Sequence, residues 1–205
     1  MRITEEAKKQ NRDRIVRAAA RLFNDKGFED ATTRDIAQAA GLAVGTMFNY
    51  FPSKETLAMT MVNDSLILGA EDYQQRLTGE EDLVEDLFLF VVSGLNRLRP
   101  MHPYVGPVLE KSLSPFPRKN TCREGEITRL EHLAAVRQII GAHGHVAVPE
   151  YVSVNLYWSL YLGILAFWAN DETPRQEATL ALIDYSLQLF VKAISTSEEG
   201  HVSIP

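Results

Sequence analysis

Residues 32–57 read TTRDIAQAAGLAVGTMFNYFPSKETL, two short apolar-periodic runs joined at a glycine and closed at a proline. Thr32 stands just before the first run, where a helix N-cap belongs. Asp35 follows three residues later, a shortened form of the capping box. Ile36, Ala37 and Ala40 then fall on one face at helical spacing. Gly41 closes that helix, because glycine tolerates the left-handed conformation past a helix end. Leu42 is expected as an inward anchor in the turn. Val44, Met47, Phe48 and Phe51 recur at spacings of three, four and seven, which predicts one buried stripe on a second helix. Pro52 cannot continue it, and Ser53 can cap the next. Two short helices around a tight glycine turn form a helix-turn-helix, whose second helix commonly enters the DNA major groove.

The pattern is longer than a bare helix-turn-helix. Thr32-Thr33, Ile36-Ala37, Ala40-Gly41, Gly45-Thr46, Tyr50-Phe51 and Lys54-Glu55 with Leu57 stand in order, after AAARLFNDKGFEDATT at 18–33. These residues resemble the DNA-binding domain of TetR-family transcriptional regulators. The resemblance covers about the first quarter to third of the chain. It implies an all-α homodimer with an N-terminal DNA-binding domain and a C-terminal helical domain that takes a small molecule.

Charge distribution agrees with that division. The 205 residues carry a net charge of −6, yet residues 1–60 hold ten Lys/Arg against eight Asp/Glu. The basic balance lies in the helix-turn-helix part and the acidic balance in the rest. Nearly half of the residues are apolar, enough for a sizeable core. No apolar run reaches eighteen residues, so no membrane partner is expected. The opening MRITEEAKKQNRDR lacks the apolar centre of a signal peptide. Cys122 stands alone and fits a reducing compartment. With the family resemblance, the expectation is a bacterial cytoplasmic, nucleoid-associated protein.

About nine helices are expected, with a DNA-binding domain over 1–55 and a ligand-binding and dimerisation domain over 56–205. Residues 1–10 read as a polar solvated arm, and helix 1 as about 10–26, ended by Gly27. Helix 4 has no stop from Ser53 to about Gln75, so it ties the two parts together. Thr78–Asp82 is the first clear break. Pro100, Pro103 and Pro107 punctuate a segment with a short helix near 104–113. Residues 114–117 read as a loop, and Arg118, Lys119 and Arg123 as a solvated basic cluster. A helix over about 124–142 follows. Residues 150–169 are apolar on nearly all sides, which places that helix against protein on several faces. A last helix, with Thr173 as cap, carries the stripe Leu180, Ile183, Leu187, Phe190, Val191 and Ile194. Two such helices suit a dimer interface, in which pairs from two subunits make a four-helix bundle.

By resemblance, Thr33, Tyr50 and Lys54 contact phosphate. Thr33 and Lys54 each add a helix N-terminus to a polar side chain. Gly45 lets the backbone approach DNA, and Thr46 meets a thymine methyl or a phosphate. Arg34 is the candidate for base readout, since arginine pairs in bidentate fashion with guanine. Ala43 and Val44 offer apolar contacts, and Asn49 can bond a base edge. Phe48 lacks the hydroxyl that the family often has there, and core packing is its simplest role.

No acid–base, nucleophile or metal pattern supports an enzyme or a cofactor. His143-Gly144-His145 lacks a paired motif, and a solvated loop is its simplest reading. A pocket between helices is expected for the unknown inducer, with Phe88, Tyr104, Trp158 and Tyr161 among its aromatic candidates and His102, His132 and Asn155 as polar anchors. The functional expectation is a repressor released from a palindromic operator by its ligand. The alternatives are an activator or constitutive DNA binder of the same fold, and a helical ligand-binding protein without DNA binding.

Overall fold

The computed structural model describes residues 4–113, 122–144 and 146–195. Nine α-helices and two 3-10 turns make up its regular structure: α1 Glu5–Asp30, α2 Thr33–Ala39, α3 Val44–Tyr50, α4 Lys54–Arg76, α5 Leu83–Leu98, α6 His102–Leu113, α7 Arg123–Ala142, α8 Glu150–Trp168 and α9 Glu177–Ser195. The fold is all-α, and the described residues include no strand.

Helix α1 begins earlier than expected and absorbs residues 5–9 of the anticipated arm. Thr4 is its N-cap, with Oγ1 accepting from the Ala7 amide at 3.2 Å. Glu5 and Glu6 complement the positive end of the helix dipole, and Glu5 pairs with Lys8 one turn on. The helix breaks at Gly27, whose φ of +82° only glycine adopts freely. That break turns Phe28 inward, against Phe23 at 5.3 Å between ring centroids.

Both halves of the capping box form at α2: the Asp35 amide donates to Thr32 Oγ1, and the Thr32 amide to the Asp35 carboxylate. Gly41 takes a φ of +65°. The Leu42 amide then returns to the Ala37 carbonyl at 2.9 Å, closing the helix end. Met47 of α3 and Phe51, just past its end, are buried as the spacing predicts. Phe48 is not: 44 % of its surface is exposed, so core packing is overturned as its role. The helix is a single pair of turns, and Met47 alone fills the space against its neighbours.

The chain divides into two compact units. The first contains Met1–Leu68 and Asn96–Arg129, the second Gly69–Leu95 and Leu130–Pro205. The helix-turn-helix therefore shares a unit with the first part of α4, with α6 and with the start of α7. Ile15, Ala19, Phe23, Phe28, Ile36, Met47, Leu57 and Met59 form its buried core. Helix α6 packs Tyr104, Val105 and Val108 into it, with Tyr104 5.3 Å from the Phe23 ring. The anticipated loop at 114–117, and Arg118 and Lys119 of the basic cluster, lie outside the described residues.

In the second unit α8 packs on α9. Thr173 caps the last helix as expected, its Oγ1 accepting from the Ala178 amide at 3.2 Å, and Asp171 reinforces the cap. Its carboxylate accepts from the amides and hydroxyls of both Thr173 and Thr179. Those bonds hold the acid well below the usual carboxylate range. Ile183, Leu187, Phe190 and Ile194 of α9 turn into the unit, while Tyr185 and Leu189 are 64 % and 51 % exposed. The stretch Pro174–Ser195 is long and apolar enough by composition to cross a membrane. Its inward stripe, however, is packed in this unit's own core.

Candidate nucleic-acid interface and effector site

A short helix can offer a surface only if its other side is anchored. Met47, fully buried, anchors α3 and leaves Ala43, Gly45, Phe48 and Asn49 exposed, with Val44, Thr46 and Tyr50 half-buried. A Cβ at Gly45 would meet nothing within 4 Å. The protein's own packing therefore does not require glycine there. On α2, Arg34 is exposed and Thr33 half-buried in the first turn.

Two residues of α1 brace this surface, and the sequence pattern did not single them out. Asn11 Nδ2 donates to the Tyr50 hydroxyl at 3.3 Å, which leaves the phenol proton able to donate elsewhere. Arg14 Nη2 donates to the Gly41 carbonyl at 3.3 Å, across the glycine turn. The hint in the sequence is their spacing of three, which places them on one side of α1. Nothing local shows what that side meets. Arg12 bonds Asp64 of α4 at 2.8 Å, fixing α1 against the connecting helix.

Lys54 is bonded within the chain itself. Its ammonium donates to the carbonyls of Phe28, Glu29 and Ala31 at 2.7, 2.7 and 3.2 Å, and lies 4.6 Å from the Phe28 ring centroid. All three N–H groups thus have acceptors inside the unit. The cause is the end of α1: its last carbonyls have no partner in their own helix, and a cation satisfies them. Lys111 of α6 reaches the same place, paired with Glu29 at 2.8 Å and 5.3 Å from the Phe28 centroid.

The candidate ligand residues separate. Tyr104 and His102 belong to the first unit, where burial alone pushes the Tyr104 phenol up to about 12. Asn155 is exposed on α8, with its amide donating to the Tyr151 carbonyl at 2.7 Å, so it lines no interior site of its subunit. Phe88 is half-buried on α5. Trp158 and Tyr161 are buried and come together around His132 of α7. Phe90 and Tyr157 complete that cluster, at 5.0 and 5.7 Å from the histidine ring. Burial pushes His132 down to about 3, so its imidazole is neutral.

His143 is bonded to a carboxylate of α5. Its Nε2 lies 2.8 Å from the Asp86 carboxylate, which also accepts from the Tyr73 hydroxyl. His145 lies outside the described residues. Among the described residues no group of three or more His, Cys, Asp or Glu is placed to hold a metal ion.

Residues 15–59 match the family described as bacterial regulatory proteins, tetR family. The chain is 31 % identical over 94 residues to the HTH-type transcriptional repressor KstR2 of Mycolicibacterium smegmatis, covering 46 % of each protein. It is 28 % identical over 196 residues to the HTH-type transcriptional repressor KstR of Mycobacterium tuberculosis, covering 87 % of this chain and 82 % of that one. The match spans under half the length of that KstR2, and likewise of the regulator YvdT of Bacillus subtilis, where it covers 43 %. In fold, the chain is similar to Thermus thermophilus FadR, a transcriptional repressor solved with lauroyl-CoA. The TM-score is 0.69 at 22 % identity, over 95 % of this chain and 98 % of that one.

Proposed function

We propose that this chain, a member of the TetR family of bacterial regulatory proteins, is a homodimeric repressor that a small molecule releases from a palindromic operator. The observation that carries this is the outward surface of α3, anchored from behind by Met47 and free of any packing demand at Gly45. In this reading the α3 surface enters the major groove. Gly45 admits close backbone approach. Thr46 and Asn49 address base edges or phosphate, and Ala43, Val44 and Phe48 give apolar contact, for which a thymine methyl is the natural partner. Arg34 reads a guanine from α2. Thr33 and Tyr50 hold phosphate and set register. Lys54 acts one step back, by fixing the start of α4 to the end of α1.

The functional division follows the sequence expectation, with 1–55 for DNA and 56–205 for ligand and dimerisation. Phe167 of α8, together with Tyr185 and Leu189 of α9, offers exposed apolar area on two helices already packed together. A second copy covering that face would give the four-helix arrangement of a two-fold dimer. Two recognition helices related by a dyad read half-sites spaced by about one helical turn, roughly 34–36 Å, or a multiple of it. The repressor names of KstR and KstR2 support the sign of regulation. Acyl-CoA in two FadR structures supports a small-molecule effector. The effector acts by population shift: it binds more tightly to a dimer whose recognition helices cannot dock both half-sites, and α4 carries the change.

The test is selection of bound genomic fragments by the full-length protein, followed by footprinting. The expected result is a protected site with two-fold sequence symmetry. A protein that retains no fragment above random DNA at about 150 mM salt would refute the reading.

A further inference from the structure

A histidine inside an apolar core is a costly choice, because burial strips water from both ring nitrogens. His132 is buried among rings. Tyr161 stacks on it at 4.1 Å with 22° between planes, and Tyr157 lies 27° from its plane. Tyr157 and Tyr161 are themselves within 11° of parallel. Phe90 and Trp158 close the sides. The hydrogen bond found for the ring is between Nε2 and the Tyr157 hydroxyl, at 3.0 Å. A leucine or phenylalanine would pack here without desolvating a polar ring. An apolar enclosure with one or two convergent polar groups is instead the usual make-up of a small-molecule site.

The enclosure also has a path to α4 within the same unit. Phe90 meets Tyr73 of α4 edge-on at 5.4 Å, and the Tyr73 hydroxyl is anchored on Asp86 of α5. A molecule that displaced the rings around His132 would press, through Phe90, on a residue of the helix that leads back to the DNA-binding part.

We propose that this ring cluster is the effector site, and that it takes an uncharged planar ring molecule bearing one hydroxyl or N–H group. The inference rests on the ligand-responsive reading above. Three observations fix the ligand class. The planes of His132, Tyr157 and Tyr161 run nearly parallel, so a flat ring that displaces one of them meets the others face-on. A quaternary ammonium is held instead by rings boxed around it. The ring partners of His132 carry no charge, so a carboxylate or phosphate would be buried without a counter-ion. The 3.0 Å bond leaves no room between His132 and Tyr157, so the incoming hydroxyl or N–H must replace that bond at the histidine.

Calorimetric titration of full-length protein, without DNA, tests this with 2-naphthol, 2-naphthoate, tetramethylammonium and lauroyl-CoA. Binding of 2-naphthol is expected at or below about 1 mM, with 2-naphthoate at least about tenfold weaker and tetramethylammonium silent. His132→Phe should weaken 2-naphthol by about tenfold or more. Tyr157→Phe should tighten it several-fold, because the competing bond to His132 is gone; a merely structural tyrosine would not give that sign. Should His132→Phe fail to fold, the single-oxygen change at Tyr157 carries the test alone. Equal binding of 2-naphthol and 2-naphthoate, tighter binding of tetramethylammonium or lauroyl-CoA, no binding of 2-naphthol at about 1 mM, or weaker binding in Tyr157→Phe would each overturn the assignment. The two readings fail separately. Naphthol binding without selected DNA leaves the site and removes the regulator, whereas a symmetric footprint without naphthol binding does the reverse.

Discussion

Lys54→Ala separates two roles that the sequence alone cannot distinguish. If the ammonium faces DNA, the mutant loses one phosphate contact per subunit. Each neutralised phosphate contributes about 0.9 to the slope of log affinity against log salt, so a dimer would lose about 1.8. In the structure, the three N–H groups go to the Phe28, Glu29 and Ala31 carbonyls. A hydrogen bond with a charged partner is worth about 1.5–3 kcal/mol when well shielded. Lys54 is only half-buried, and water can reach the abandoned carbonyls. The three together are therefore set at about 1–3 kcal/mol, which for a chain of this size lowers the unfolding midpoint by roughly 3–10 °C. The expected result is a clear stability loss, weaker operator binding at every salt concentration, and a salt slope changed by less than about 0.5. Thermal melts and fluorescence anisotropy on a selected operator, from about 50 to 200 mM salt, measure both quantities. A slope flattened by about 1.8 with an unchanged melt would refute the internal role.

Gly45→Ala should act in opposite directions on folding and binding. The added Cβ meets nothing in the protein and improves helix propensity by up to about 1 kcal/mol, while crowding DNA by about 1–3 kcal/mol. An undiminished operator affinity in gel shift would contradict the close approach. Leu189→Glu should yield folded monomers in sedimentation velocity, whereas Leu187→Glu, at a buried position, should unfold the chain; a dimeric Leu189→Glu protein would remove α9 from the interface. The His132 imidazole binds no proton in the folded state until about pH 3, but binds one near 6.5 when unfolded, so stability is full above 6.5 and falls as pH drops toward 3. The fall is about 1.4 kcal/mol per pH unit, or about 2 kcal/mol between pH 6.5 and 5. Urea unfolding of wild type and His132→Phe at both pH values measures it. Parallel pH dependence in the two proteins would show that His132 is not held neutral.

The fold was legible where a residue's reason is local. The capping box at Thr32 and Asp35, the left-handed turn at Gly41 and the stop at Pro52 each depend on a few neighbouring dihedrals, and all stand where the pattern put them. Long helices were equally readable: α4 and α7 end within about two residues of expectation. Legibility failed at Phe48, because periodicity marks which residues share a stripe and cannot say how wide the covered part is. On a seven-residue helix one buried side chain suffices. It failed again at residues 5–9, where polar composition suggested a free arm although Thr4, Glu5 and Glu6 supply a competent helix start.

The site was less legible because its decisive contacts join residues far apart in sequence. Lys54 looks like a phosphate ligand from its position at a helix start, and nothing within ten residues reveals the carbonyls of residues 28–31. Those carbonyls are free because α1 ends there, and the backbone break at Gly27 turns Phe28 beneath two ammonium groups. Two like charges near one ring repel, so the arrangement holds only because carbonyls take up Lys54 and Glu29 takes up Lys111. The ends of α1 and α6 and the start of α4 therefore meet at one electrostatically balanced joint. Removing Glu29 would leave Lys111 uncompensated there, and removing Lys54 would leave three carbonyls without their donor. A movement of α4 must either carry this joint along or break bonds to charged groups. The joint thus sets how stiffly the start of α4 is tied to the end of α1.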